Sequence, residues 1–170
     1  IRNGYAIIVQ SKNFREVSIF ICMALLTETF LLLGRKEAVE RPPQQVAPLI
    51  RRELTRLAPL LQRETLDIRL QLDEESEVQA PLSLLAIALG NLLKNALSYA
   101  EGHIEITLHE QVLTISNPTA AAPDQILGYG CGLTIIQRIC EKLGWQIETH
   151  LVEGVFSARL VMIPGAPGAA

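Results

Sequence analysis

Asn91 and Asn95 stand four residues apart in "GNLLKNALSYA", so a helix stacks their amides on one face. That face is polar amid Leu89, Leu92, Leu93 and Ala96. A buried amide without a partner costs about 1–3 kcal/mol. Spacing alone leaves two readings open: amides turned to solvent or to their own backbone, or a paired polar site. A second group follows in "GYGCGLTIIQRICEKLG", where Gly128, Gly130 and Gly132 run straight into a helical apolar set, Leu133, Ile136, Ile139, Cys140 and Leu143. Glycines let backbone N–H groups converge on an anion, and a helix N-terminus adds a favourable dipole. Phosphate is the ligand that this chemistry suits. No strand directly precedes the glycines, so they are not a dinucleotide fingerprint, and the Lys-Ser/Thr ending of a P-loop is missing. A third residue is Asn117 in "VLTISNP". It is in phase with Leu113 and Ile115, so it points inward at the end of a strand.

The elements that position these residues are legible from period. Val46, Leu49, Ile50, Leu54, Leu57 and Leu61 mark an amphipathic helix with Arg51, Arg52 and Arg56 outside the apolar set, and Pro59 kinks or ends it. "LDIRLQL" alternates strictly and reads as a half-buried strand, with Leu66, Ile68, Leu70 and Leu72 on one face. "DEESE" reads as a solvated turn. Pro81 suits the first turn of the Asn91 helix, whose apolar set is Leu82, Leu85, Leu89, Leu92, Leu93 and Ala96. "HIEITLH" and "VLTISN" form a hairpin about Glu110, and "WQIETH" with "VFSARLVMI" supplies two more strands. The order is helix, strand, helix, hairpin, loop, helix, hairpin. It predicts a two-layer α/β sandwich: a mixed, mostly antiparallel sheet with helices on one face.

A helical segment precedes this domain. Residues 17–33 are mostly apolar, interrupted by Thr27, Glu28 and Thr29, and Gly34 is a stop signal. The run is short for a membrane span and carries a mid-helix acid, so it reads as a buried helix of a bundle or dimer interface. "GRKEAVERPPQQ" reads as a linker. The predicted division is a helical segment with linker over 1–40, a domain over 41–163, and a tail over 164–170 with nothing to bury.

The chain has 170 residues, 49% of them apolar and 19% charged, which is a globular composition. Its net charge of -3 carries no basic excess, which argues against a nucleic-acid partner. Cys22, Cys131 and Cys140 have neither pairing arithmetic nor metal spacing.

Taken together and in order, "NLLKNALSYA", "VLTISNP" and "GYGCGLTIIQRICEKLG" resemble the ATP-binding domain of sensor histidine kinases, over about residues 44–163. That domain shares the Bergerat fold with DNA gyrase and MutL. "LTETFLLLGR" resembles the end of the second dimerisation helix of such kinases. The resemblance implies ATP and Mg2+ as cofactors. It implies that Asn95 binds the magnesium ion and that Tyr99 touches the nucleotide. Gly128, Gly130 and Gly132, with Leu133 after them, would form the phosphate cradle. Asn91 matches the catalytic position one turn before the metal ligand, where the ATPases of the superfamily carry a Glu that deprotonates water. An amide cannot accept that proton at neutral pH, so the residue type favours phosphotransfer over hydrolysis. Asn117 matches the Asp that reads the adenine amino group; it keeps an acceptor and loses the charge that strengthens such bonds.

The chain departs from the family in three places. Ser98 stands where Lys, Arg or His is common, and Pro118, Thr119 and Ala120 replace the glycines after the adenine-reading residue. The lid, residues 119–127, is short and lacks a phenylalanine box. Ser157 lies near the family's last box, and a plain strand role fits it equally. His103, His109 and His150 all fall on predicted strands outside an acceptor context. The acceptor His is therefore expected on a dimerisation helix upstream of Ile1, in a longer parent chain. The implied partners are that dimerisation domain, a response regulator and a second copy through the N-terminal helix. The implied location is the cytoplasmic side of an inner-membrane sensor. Two alternatives stay open: an anti-sigma-type serine kinase, and a non-enzymatic nucleotide-binding module.

Overall fold

The computed structural model describes residues 40–57, 59, 66–120 and 131–165, with Thr27, Leu31, Leu33 and Gly34. The chain divides into two units, Ile1–Lys36 and Glu37–Ala170. In the first, Thr27, Leu31 and Leu33 are helical and Gly34 lies in a turn. The rest of the apolar segment, Leu61, Gly128, Gly130, the lid beyond Ala120 and residues 166–170 lie outside the described residues.

In the second unit the described elements are β1 (Pro43–Gln45), α1 (Val46–Leu57), β2 (Asp67–Leu72), β3 (Glu77–Gln79), α2 (Leu82–Tyr99), β4 (His103–His109), β5 (Val112–Pro118), α3 (Cys131–Leu143), β6 (Gln146–Val152) and β7 (Val155–Val161). The main sheet has five strands in the order β2-β4-β5-β7-β6. Only β2 and β4 are parallel; the other three pairings are antiparallel. A parallel pair needs a crossover, and α2 lies within it. The expected mixed, mostly antiparallel α/β fold is the observed one.

The core lies on one face of the sheet. Ile104, Ile106 and Leu108 of β4, Leu113 and Ile115 of β5, and Phe156, Ala158 and Leu160 of β7 are all buried there. Leu85, Leu89, Leu92 and Leu93 of α2 and Ile135, Ile136 and Ile139 of α3 are buried as well. α2 is apolar and long enough to cross a membrane, yet it packs between α1 and α3 with half of its length buried. The alternate sheet residues, such as Arg69, Glu105, Arg159 and Glu148, carry ion pairs on the other face.

Several expectations change in detail. The linker reading stops short, because Pro43–Gln45 forms a strand with Glu77–Gln79. The "DEESE" turn is not wholly solvated: Ser76 is buried and its hydroxyl donates to the Glu110 carbonyl. β2 is an edge strand, so the helices cover it incompletely and Leu70 is 40% exposed. Pro81 sits immediately before α2, and Leu82 is 43% exposed in the first turn. The tail is tied at its start, where the Gly165 N–H donates to the Gly144 carbonyl at 3.1 Å.

Candidate nucleotide site

Three of the sequence-selected residues lie along one side of α2. Asn91, Asn95 and Tyr99 are half-buried, as is Ser98 beside them. At 1.5 Å per residue, Asn91 and Tyr99 are about 12 Å apart along the helix axis, a length suited to an extended nucleotide.

Asn91 defines one end. Its Nδ2 donates to the Ile87 carbonyl at 2.8 Å. The backbone-bonded reading thus holds for the amide nitrogen. The oxygen lies toward Gly132: a Cβ built on that glycine would stand 3.2 Å from Asn91 Oδ1. Gly132 is on the first turn of α3, so the glycine lets that helix start directly over Asn91. Asn95, one turn on, makes no side-chain hydrogen bond among the described residues. Leu133 is half-buried beside Gly132. Gly128 and Gly130 lie outside the described residues, so the structure brings together Asn91 and Gly132 but does not place the full glycine run.

Asn117 defines the other end. It is 1% exposed, on the same face as Leu113 and Ile115, as its period requires. Its Nδ2 donates to the Pro118 carbonyl at 3.2 Å, and its Oδ1 is buried with no partner among the described residues. The strand end is pinned from two sides. The Glu101 N–H, just past α2, donates to the Pro118 carbonyl at 2.8 Å, and the Thr119 N–H donates to the Gly154 carbonyl at 2.8 Å. Successive strand N–H groups alternate in direction, so the nitrogen of Pro118 points to the β4 side. Pairing with β4 has already ended at Ser116. Proline is therefore tolerated there without losing a ladder bond. It does not pull Asn117 out of the sheet, because Asn117 pairs with Phe156 and Pro118 with Val155.

Phe156 escaped the sequence reading. It is the cross-strand partner of Asn117, 4% exposed, and places an aromatic ring on the Asn117 face. Its only signal was its phase with Ala158 and Leu160. Ser157 falls on the opposite face, between Ser116 and His150 in the ladder, which supports the plain strand role. His103 and His109 are on β4 and His150 is on β6, none of them on a helix. Among the described residues no cluster of His, Cys, Asp or Glu could hold a metal. An ion here would rely on amide oxygen and the ligand's own phosphates.

No family model matches the sequence, and no curated protein matches it. Solved structures do. The cytoplasmic segment of histidine kinase QseC matches with a TM-score of 0.65 at 22% identity, over 82% of this chain and 91% of that one. Histidine kinase AdeS of Acinetobacter baumannii gives 0.66 at 19% identity, over 88% and 81%. The catalytic domain of histidine kinase ThkA gives 0.61 at 21% identity, over 74% of this chain and 100% of that one. The chain has the fold of a sensor histidine kinase catalytic domain.

Proposed function

We propose that this chain is the ATP-binding catalytic domain of a two-component sensor kinase, which donates the γ-phosphate of ATP to a histidine on a dimerisation helix. The observation that carries this reading is Asn117 Oδ1, a buried acceptor with no donor among the described residues, at the end of the Asn91–Tyr99 face. The adenine amino group is such a donor, and guanine offers a carbonyl at the same position. A similar structure, histidine kinase ShkA in complex with AMPPNP, supports ATP as the nucleotide.

The residues fit the groups assigned to them. Asn117 reads the base, with Phe156 as its cross-strand aromatic neighbour, and Tyr99 is assigned a nucleotide contact at the end of α2. Gly132 keeps the start of α3 open, so that backbone N–H groups face the phosphates. Asn95 offers the neutral oxygen that a hard cation accepts, and magnesium takes few protein ligands when phosphates supply the rest. Magnesium neutralises phosphate charge in such sites. Asn91, with its nitrogen held by Ile87, presents an oxygen that orients a donor but cannot deprotonate water. That arrangement favours transfer to a positioned imidazole over hydrolysis. The N-terminal helical segment then belongs to a dimerisation region, in a protein whose kinase domain is cytoplasmic and whose partner is a response regulator.

The test is transfer in trans. Incubated with labelled ATP, magnesium and a separate acceptor-bearing dimerisation domain, the chain should label that domain's histidine. Label on His103, His109 or His150, or free phosphate released without any acceptor labelling, would overturn the assignment.

A further inference from the structure

Arg41 is the first described residue of the second unit whose side chain bonds into it. Its Nη1 donates to the Leu143 carbonyl at 3.3 Å and its Nη2 to the Lys142 carbonyl at 3.1 Å, across 102 and 101 residues of sequence. These two carbonyls end α3, and the last carbonyls of a helix have no partner within it. A guanidinium supplies two N–H groups in one rigid fork and a positive charge at the negative end of the helix dipole.

The backbone that follows Arg41 is fixed as well. The Ala80 N–H donates to the Pro42 carbonyl at 3.2 Å, and β1 pairs with β3 immediately afterwards. A side chain reaching from an anchored strand can hold a helix in place; one reaching from a loose loop could not. The other end of that same helix carries Gly132, where a Cβ would stand 3.2 Å from Asn91 Oδ1. A rigid helix of 13 residues transmits a shift from one end to the other.

We infer that Arg41 is a positioning residue: its clasp on the C-terminal end of α3 sets where the N-terminal end of that helix meets Asn91, and so sets nucleotide affinity. The inference rests on the nucleotide-site reading above. The chain arriving at Arg41 comes from the first unit, so a pull on that chain reaches α3 through this side chain. By linkage, bound nucleotide must tighten the clasp by the factor that the clasp tightens binding.

The test uses the full chain and AMPPNP with magnesium. Trp145, the chain's single tryptophan, is buried two residues beyond α3 and serves as the optical probe. Arg41→Ala should weaken AMPPNP about threefold to tenfold, the range for losing one or two hydrogen bonds. Arg41→Lys, which restores charge and one donor, should recover part of that loss. Nucleotide should change Trp145 emission in the parent and much less in Arg41→Ala. Hydrogen exchange adds a readout that mere capping would not move: the amides of Ile135 and Ile136, far from the clasp, should exchange faster in Arg41→Ala. Unchanged affinity in a folded Arg41→Ala, or faster exchange confined to residues 140–145, would overturn the inference. If the parent itself fails to bind AMPPNP, the nucleotide reading falls, and exchange at Ile135 and Ile136 alone decides the clasp.

Discussion

Asn117 donates from its amide nitrogen to the carbonyl of Pro118, the next residue, and keeps its amide oxygen buried and unpaired among the described residues. Two of the residues that depart from the resembled pattern are thus bonded to each other. That carbonyl also accepts from the Glu101 N–H at 2.8 Å, so what an Asp changes is the group facing it: a carboxylate oxygen has no proton to give.

It follows that Asn117→Asp is no improvement in this chain. A carboxylate oxygen would face the Pro118 carbonyl where the amide N–H now sits. The variant should lose about 1–3 kcal/mol of stability, as for a buried polar group left unpaired. Urea unfolding at neutral pH measures this. Equal stability would mean that the side chain turns away from Pro118 at no cost.

Gly132→Ala separates folding from binding. The residue is in a helix, where Ala is favoured over Gly by up to about 1 kcal/mol. The added methyl would sit 3.2 Å from Asn91 Oδ1, and Asn91 is held by its bond to Ile87. We expect unchanged or slightly higher thermal stability together with weaker AMPPNP binding. Calorimetric titration beside a melting curve checks both. A fall in melting temperature with intact binding would contradict it.

A buried carboxylate makes a stability prediction. Glu53 is 5% exposed and accepts from Arg56 Nε at 2.9 Å and Nη2 at 2.6 Å, whereas Arg52 stands 3.8 Å away. Arg56→Met should cost about 1.5–3 kcal/mol, the range for hydrogen bonds to charged groups. Arg52→Met should cost less than about 1 kcal/mol, as for an exposed pair. Paired urea titrations distinguish the two.

Cys140 gives a pH dependence. Burial, aided by the adjacent Glu141 charge, pushes its thiol up to about 12. The unfolded thiol titrates near 8.5. Between about 8.5 and 12 the folded chain holds a proton that the unfolded chain releases, so stability falls as pH rises. Below that window both states are protonated and the group contributes no slope. Cys140→Ala should flatten the alkaline decline in a denaturation midpoint followed against pH.

The sequence carried what depends on local period. Asn117 faces inward because Leu113 and Ile115 do, and α1, α2 and α3 appear where their apolar residues recur. Long-range relations left no such trace. Phe156 meets Asn117 through strand register, which no local pattern encodes. Arg41 finds its carbonyls 101 and 102 residues away. β1 and β3 are three residues each, too short for a period to register, and β1 begins on a proline. Gly90 reads as an ordinary helix residue, yet its missing side chain leaves room for Glu53 Oε2, 3.3 Å from where a Cβ would be.

The central claim is that the face from Asn91 to Asn117 holds Mg-ATP. The direct measurement is a calorimetric titration of the chain with AMPPNP, with and without magnesium, repeated for Asn95→Ala and Asn117→Leu. We predict magnesium-dependent binding by the parent and loss of that dependence in Asn95→Ala. Asn117→Leu should bind about tenfold to hundredfold more weakly, because the adenine amino group loses its buried acceptor. No binding by the parent at millimolar AMPPNP, or an Asn117→Leu variant that binds as the parent does, would contradict the account.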